Sequence, residues 1–355
     1  MKTKVAILGA GCSCGYGYPL ASEMKDHLEQ FAKSIELSAP KLHGAARNTL
    51  AVFDKLTGVG SPAQTLDDLA WLVHQGKIAT GPREFRDNYN DRIVDEAKAV
   101  VSAMFLAKEG ESTARILSGY RNFLRRIFPD ATHCSRALAR SQWRILTFNI
   151  DRLFELAFRL HFDVDMIQTF YGPPVLNSGL FLVVPEQVHV ETDRFSLLKL
   201  HGSAGFCPIE EYGHCNHYQM IPDPRQPVPI SDETFFFADG HGLYSNRMRP
   251  SLIVFPHEKS YLSEYPTNTF PFRLYIPEIW GAARQFVANA DEVWIIGYSL
   301  PEADWHSIEG LLTVVPKDCQ IVIQNPLAET LAAKLRVRLP ALAQRITACP
   351  VTFEV

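Results

Sequence analysis

Four short apolar runs, Val5-Ala6-Ile7-Leu8, Trp143-Arg144-Ile145-Leu146, Phe195-Ser196-Leu197-Leu198 and Val293-Trp294-Ile295-Ile296, each stop at a turn rich in glycine or polar residues. Runs this short and this apolar, two of them broken by a single polar residue, predict parallel strands buried on both faces. The last third of the chain alternates regularly, with a strand over 293–296, a helix over 303–312, a strand over 320–324 and a helix over 328–337. That is the βαβα signature of a parallel sheet. A helix is expected over 19–33, after the first strand, and Gly11, Gly15 and Gly17 let the loop between them turn tightly. From 36 to 140 the apolar spacing is helical: Leu66, Leu69, Ala70 and Val73 form one stripe, and Ile93, Ala97, Val100, Val101 and Met104 another.

These patterns predict an α/β fold, a Rossmann-like parallel sheet with helices on both faces, forming a single domain over 1–355 with a helical insertion module at 36–140. Residues 204–250, rich in Pro, Gly, His and aromatics, read as a long irregular excursion with room for a hairpin. A further strand is expected over 251–255 and a helix over 276–289.

In an open α/β sheet the residues just past the strand ends converge on one crevice, where nucleotides bind. Gly9-Ala10-Gly11, Thr147-Phe148-Asn149-Ile150-Asp151, Lys199-Leu200-His201-Gly202-Ser203 and Gly297-Tyr298-Ser299-Leu300-Pro301 all lie at such ends. A Gly-x-Gly turn between strand and helix lets the backbone approach a pyrophosphate. The ordinary dinucleotide fingerprint would have a third glycine where Cys14 stands and an acidic residue at the end of a second strand, where the helical insertion begins. The pattern therefore argues against an ordinary NAD dehydrogenase.

Composition adds bounds. A formal net charge of −4 argues against a protein whose main task is wrapping nucleic acid, so no direct nucleic-acid contact is expected. No run approaches the roughly 20 apolar residues of a membrane span. Seven cysteines without regular spacing fit a reducing compartment, and the cytoplasm is the expected location. Cys207, His214, Cys215 and His217 cluster in the excursion. They are residue types that hold zinc, but they lack paired C-x-x-C spacing, and no metal is expected.

The motifs together resemble those of sirtuins. Gly9-Ala10-Gly11 with Ser13 and Gly17-Tyr18-Pro19 is similar to the first sirtuin motif, and Thr147-x-Asn149-x-Asp151 to the Asn-Asp motif. His201-Gly202 is similar to the His-Gly motif and Gly297-Tyr298-Ser299-Leu300 to the later Gly-x-Ser motif, while Gln324-Asn325 falls where sirtuins carry an Asn at a strand end. The paired zinc cysteines of the protein-deacylating members are missing, and Pro19-Leu20-Ala21-Ser22 replaces their Asp-Phe-Arg. Lys199 to Ser203, Pro256 to Lys259 and Gly297 to Asp304 look instead like the sirtuin-like domains of bacterial anti-phage defence proteins.

That resemblance implies an NAD glycohydrolase, with NAD as substrate, acting by NAD depletion in abortive infection. It implies Asn149, His201 and Asp151 as catalytic residues. Gly9, Ala10, Gly11, Ser13, Pro19, Thr147, Gly297, Ser299, Asp304 and Asn325 would bind the nucleotide. The partners it implies are a second copy of the chain, a HerA-like ATPase, an Argonaute-like protein or a phage-derived activator. The same pocket would serve an NAD-dependent protein deacylase, an ADP-ribosyl transferase, or a non-catalytic module that senses NAD or ADP-ribose. The residues also have plainer readings: Asp151 as a helix cap, Asp304 as a cap or ion-pair partner, Ser13 and Ser299 as turn residues, and Asn325 as a strand-end cap.

Overall fold

The computed structural model describes residues 2–58, 92–112, 117–129, 137, 141–162, 180–182, 197–204, 206–208, 217–220, 229–236, 248, 253–255 and 272–353. Strand β1 (Lys4–Leu8) runs into 3-10 turns at Ala10–Cys12, Cys14–Tyr16 and Ala21–Glu23, then into helix α1 (Met24–Ile35). Helices α2 (Pro40–Gly58), α3 (Arg92–Ser112) and α4 (Ser118–Ile127) precede β2 (Trp143–Thr147) and α5 (Leu153–Phe162). Next come β3 (Leu180–Leu182), β4 (Leu197–Lys199), β5 (Phe206–Pro208), β6 (His217–Met220) and the single turn α6 (Asp232–Phe235). Helix α7 (Phe272–Ala288), β7 (Glu292–Ile296), α8 (Trp305–Leu312), β8 (Gln320–Gln324), α9 (Ala328–Arg338) and β9 (Ile346–Cys349) follow.

Six strands form one parallel sheet in the order β4-β2-β1-β7-β8-β9. In chain order within that sheet this is 3-2-1-4-5-6, the doubly wound Rossmann-like arrangement. Right-handed crossovers running outward in opposite directions from β1 and β7 place helices on opposite faces. Val5 to Leu8 are all but inaccessible, as a central strand covered on both sides must be. The register puts Lys199, Thr147, Leu8, Ile296, Gln324 and Cys349 in one row across the sheet. Every candidate motif of β1, β2, β4, β7 and β8 begins at this row or just past it, so the sheet itself gathers them.

Several boundaries differ from the pattern-based expectation. The helix expected over 19–33 starts later because Leu20 stays extended and its N–H donates to Glu23 Oε2 (2.9 Å), setting the first turn there. Residues 59–91 and the stripe at 66–73 lie outside the described residues. Within 204–250, β5 and β6 form an antiparallel hairpin that β3 joins at the β6 edge. Of the strand expected over 251–255, Ile253 makes only an isolated bridge to Gly202, and the Val254 N–H donates to the His201 carbonyl (2.9 Å). Ile253 and Val254 thus clamp the His201-Gly202 turn, while residues 251 and 252 lie outside the described residues. Strand β9 was not anticipated. It is four residues long and ends at Cys349, just before Pro350, too short for a periodicity signal.

Candidate functional site

The sheet order reverses between β1 and β7, where an open α/β fold leaves its crevice. There the two loops touch: the Gly9 N–H donates to the Ile296 carbonyl (3.0 Å) and the Gly11 N–H to the Gly297 carbonyl (2.8 Å). Only glycine permits this approach. A Cβ on Gly9 would lie 2.5 Å from the Tyr298 ring, and one on Gly11 2.7 Å from the Gly297 carbonyl oxygen. Gly297 itself has φ +60, where a side chain is strained. Neither short turn after β1 carries a side-chain cap, and Ala10, Cys14 and Gly15 are exposed on its lip. Cys12 points inward, its thiol donating to the Ile296 carbonyl (3.3 Å), and burial pushes that thiol well above its ordinary pKa.

One polar network surrounds Asn149. Thr147 at the end of β2 accepts the Asn149 N–H on Oγ1 (3.0 Å), fixing the backbone of the turn. The Asn149 Nδ2 donates to the Gly9 carbonyl (3.0 Å) and Ser13 Oγ (3.1 Å), with the Tyr120 hydroxyl at 3.5 Å. Because Gly9 and Ser13 take the amide protons, the orientation of the carboxamide is determined, and nothing among the described residues donates to its Oδ1. Asp151 follows, buried, with Oδ1 accepting the Leu153 N–H (3.0 Å) at the start of α5. The capping reading is thus realised in its geometry. Burial pushes the Asp151 carboxyl up to about 6, against the opposing pull of the Lys199 ammonium and of hydrogen bonding from the Leu153 N–H and the Ser13 hydroxyl.

A second network surrounds His201. Its Nε2 lies 3.2 Å from Asp304 Oδ1, and the Tyr298 hydroxyl donates to Asp304 Oδ2 (2.7 Å). A carboxylate only accepts, so Nε2 carries the proton and Nδ1 is the basic nitrogen of the neutral ring. Phe148 joins the two networks: its ring stacks on Tyr298 (centroids 4.4 Å, 16°) and meets His201 edge-on (4.9 Å, 85°). Trp280 on α7 donates its indole N–H to the Leu200 carbonyl (3.2 Å), bracing the turn from behind.

Beneath both networks lie buried charges. Lys199 donates to the Asp151 carbonyl oxygen and to Glu155 Oε1 (2.9 Å), tying the end of β4 to the Asn149 turn. Arg152 pairs with Glu109 of α3 through two hydrogen bonds, one of them Nε to Oε1 at 2.8 Å. Fully buried ions persist only when paired and hydrogen-bonded in this way.

The fold thus brings Gly9, Ser13, Thr147, Asn149 and Asp151 into one cluster, and His201 and Asp304 into its neighbour. Gly11 and Gly297 meet through their backbones, Ala10 and Ser299 are exposed, and Pro19 is buried. Asn325 lies one strand further out, its Oδ1 capping the turn through the Leu327 N–H (2.9 Å). Pro256 to Lys259, His214 and Cys215 lie outside the described residues. Among the described residues no group of three or more His, Cys, Asp or Glu is placed to hold a metal, and no helix is long and apolar enough to cross a membrane. Sequence reasoning did not single out Tyr120, and gave Phe148, Lys199 and Tyr298 no role of their own. Phe148, Lys199 and Tyr298 stand inside recognised motifs. Tyr120 arrives from the helices between β1 and β2, and no local signal marks it.

No family model matches the chain, and no curated protein matches it. Among solved structures it is similar to a Sir2 homologue mutant in complex with 2'-O-acetyl ADP-ribose, at 16% identity over 92% of this chain and 80% of that chain, with a TM-score of 0.41. It is similar also to a Sir2 homologue in complex with NAD, at 15% identity over 99% and 85% with a TM-score of 0.42. A third, a Sir2 homologue mutant with ADP-ribose, is 14% identical over 92% and 80% with a TM-score of 0.37. At these scores the likeness carries no residue role across.

Proposed function

We propose that this chain is an NAD glycohydrolase, cleaving NAD with water to ADP-ribose, nicotinamide and a proton. The observation that carries the reading is the fixed carboxamide of Asn149 at the switch-point crevice, with its Oδ1 left to engage a ligand, beside a histidine oriented by a buried aspartate. Breaking the bond between nicotinamide and ribose builds positive charge on the sugar, as in glycoside cleavage. A neutral, oriented carbonyl oxygen such as Asn149 Oδ1 stabilises that centre and aligns the incoming water without trapping a cation. His201 takes the proton released from the water or a ribose hydroxyl, and Asp304 supports the imidazolium so formed. Gly9, Gly11 and Gly297 admit the pyrophosphate close to the backbone, with Ala10 and Ser299 at the rim.

Uncontrolled hydrolysis of NAD would starve the cell that makes the protein. We therefore place it as a switched effector, in keeping with the anti-phage domains its motifs resemble, with oligomerisation or a separate activator as the switch.

The test is release of nicotinamide and ADP-ribose from NAD by the purified chain, beside His201→Ala and Asn149→Ala. Each variant is expected to lose about 10²- to 10⁴-fold in turnover. Unchanged turnover in either removes that residue from the mechanism. Acceleration by an acetyl-lysine peptide, with an acylated ADP-ribose product, would replace hydrolysis by deacylation.

A further inference from the structure

Helix α4 lies far from the sheet motifs in sequence, yet it sends one side chain into the Asn149 network. Tyr120 is buried, and its hydroxyl lies 2.9 Å from Ser13 Oγ and 3.5 Å from Asn149 Nδ2. Asn149 Nδ2 donates to the Gly9 carbonyl and to Ser13 Oγ, and the Tyr120 hydroxyl, hydrogen-bonded to Ser13, sits against the same amide.

The packing holds Tyr120 in place. Its ring meets Phe353 edge-on (centroids 4.8 Å, 73°) and lies near Tyr16 and Phe154. The Tyr16 hydroxyl accepts the Gly119 N–H (2.8 Å), pinning the first turn of α4 to the loop after β1. A Cβ on Gly119 would come within 2.8 Å of the Phe353 ring, so this seat is closely fitted.

We propose that Tyr120 is a positioning residue for Asn149: its hydroxyl, acting with Ser13, holds the carboxamide with Oδ1 toward the ligand, so helix α4 sets the competence of the site. This rests on the glycohydrolase reading for its effect on turnover, but not for its effect on the Asn149 side chain.

Two readouts on the full chain test it. In protein labelled with 15N at asparagine, the Asn149 side-chain amide signal is identified by its disappearance in Asn149→Ala. In Tyr120→Phe, which keeps the ring and loses the hydroxyl, that signal is expected to shift and its protons to exchange faster with solvent. An unmoved signal overturns the proposal whatever the enzyme activity. In turnover, Tyr120→Phe is expected to lower kcat about 10-fold while KM for NAD stays within about twofold, the pattern of a lost alignment rather than lost binding. Equal kcat in Tyr120→Phe and wild type overturns the proposal. If the wild-type chain does not hydrolyse NAD, the glycohydrolase reading fails alone and the amide signal decides the role of Tyr120.

Discussion

The His201 Nε2 sits 3.2 Å from Asp304 Oδ1 although the two residues are 103 apart in the chain, and Tyr298 holds the other carboxylate oxygen. Asp304 therefore selects which ring nitrogen is basic. In Asp304→Asn the amide can present its N–H₂ to Nε2 and reverse the tautomer, moving the proton to Nδ1. Turnover of NAD is expected to fall about 10²- to 10⁴-fold with affinity for NAD nearly unchanged, because the ring stays in place while its basic nitrogen turns away. Tyr298→Phe, which removes only a supporting hydrogen bond, is expected to cost no more than about 10-fold. Steady-state kinetics with a separate binding titration checks both.

Asp151 makes stability depend on pH. Its folded pKa, pushed up to about 6, lies above the ordinary 3.8 expected when the chain unfolds. Between those values the folded protein keeps a proton that the unfolded chain has lost. The stabilisation is complete below about pH 4 and disappears as pH rises through 6, a difference of at most about 3 kcal/mol. Asp151→Asn keeps an oxygen for the Leu153 N–H and removes the titration. Its Tm is expected to exceed that of wild type at pH 8 and to match it at pH 4, as thermal unfolding at the two pH values will show.

Gly297 carries two demands at once, a left-handed φ of +60 and backbone contact with Cys12, whose N would lie 2.7 Å from an added Cβ. Gly297→Ala is expected to destabilise the fold by on the order of 3 kcal/mol, from backbone strain and overpacking together. Urea unfolding should report a lower midpoint with the slope unchanged.

The Arg152–Glu109 pair joins α5 to α3 with both side chains nearly inaccessible. Glu109→Leu alone removes the carboxylate that the buried Arg152 guanidinium pairs with and is expected to cost about 3 to 5 kcal/mol. The double variant Glu109→Leu with Arg152→Met removes both charges and should recover most of that loss. A double variant as unstable as the single one would mean that the pair contributes more than mutual neutralisation.

Much of this architecture is legible in the residues. Val5 to Leu8 and Val293 to Ile296 announce buried strands because a central parallel strand has no polar face, and glycine at 9, 11 and 297 marks backbones that must touch. Asn149 and His201 could be singled out because each follows such a run directly. Tyr120 could not. It lies in a helix whose pattern announces only an apolar face, and on that pattern its ring is indistinguishable from the core residues Phe123 and Leu124 beside it. Lys199 was visible only as part of a motif, since an ordinary lysine is solvated and nothing in the sequence signals burial against Glu155 and the Asp151 carbonyl.

The sequence by itself determined the strands, the turns and the residue types at their ends, because burial and backbone freedom are local demands written in local composition. The tertiary structure alone decided how those residues are used. The order reversal at β1 and β7 brings four distant loops to one row. Asp304 is spent on orienting His201 and Asp151 on capping α5, and a helix inserted between the first two sheet strands delivers Tyr120 to Asn149. Such pairings depend on which chain segments meet, and that follows from packing the whole sheet and its helices together.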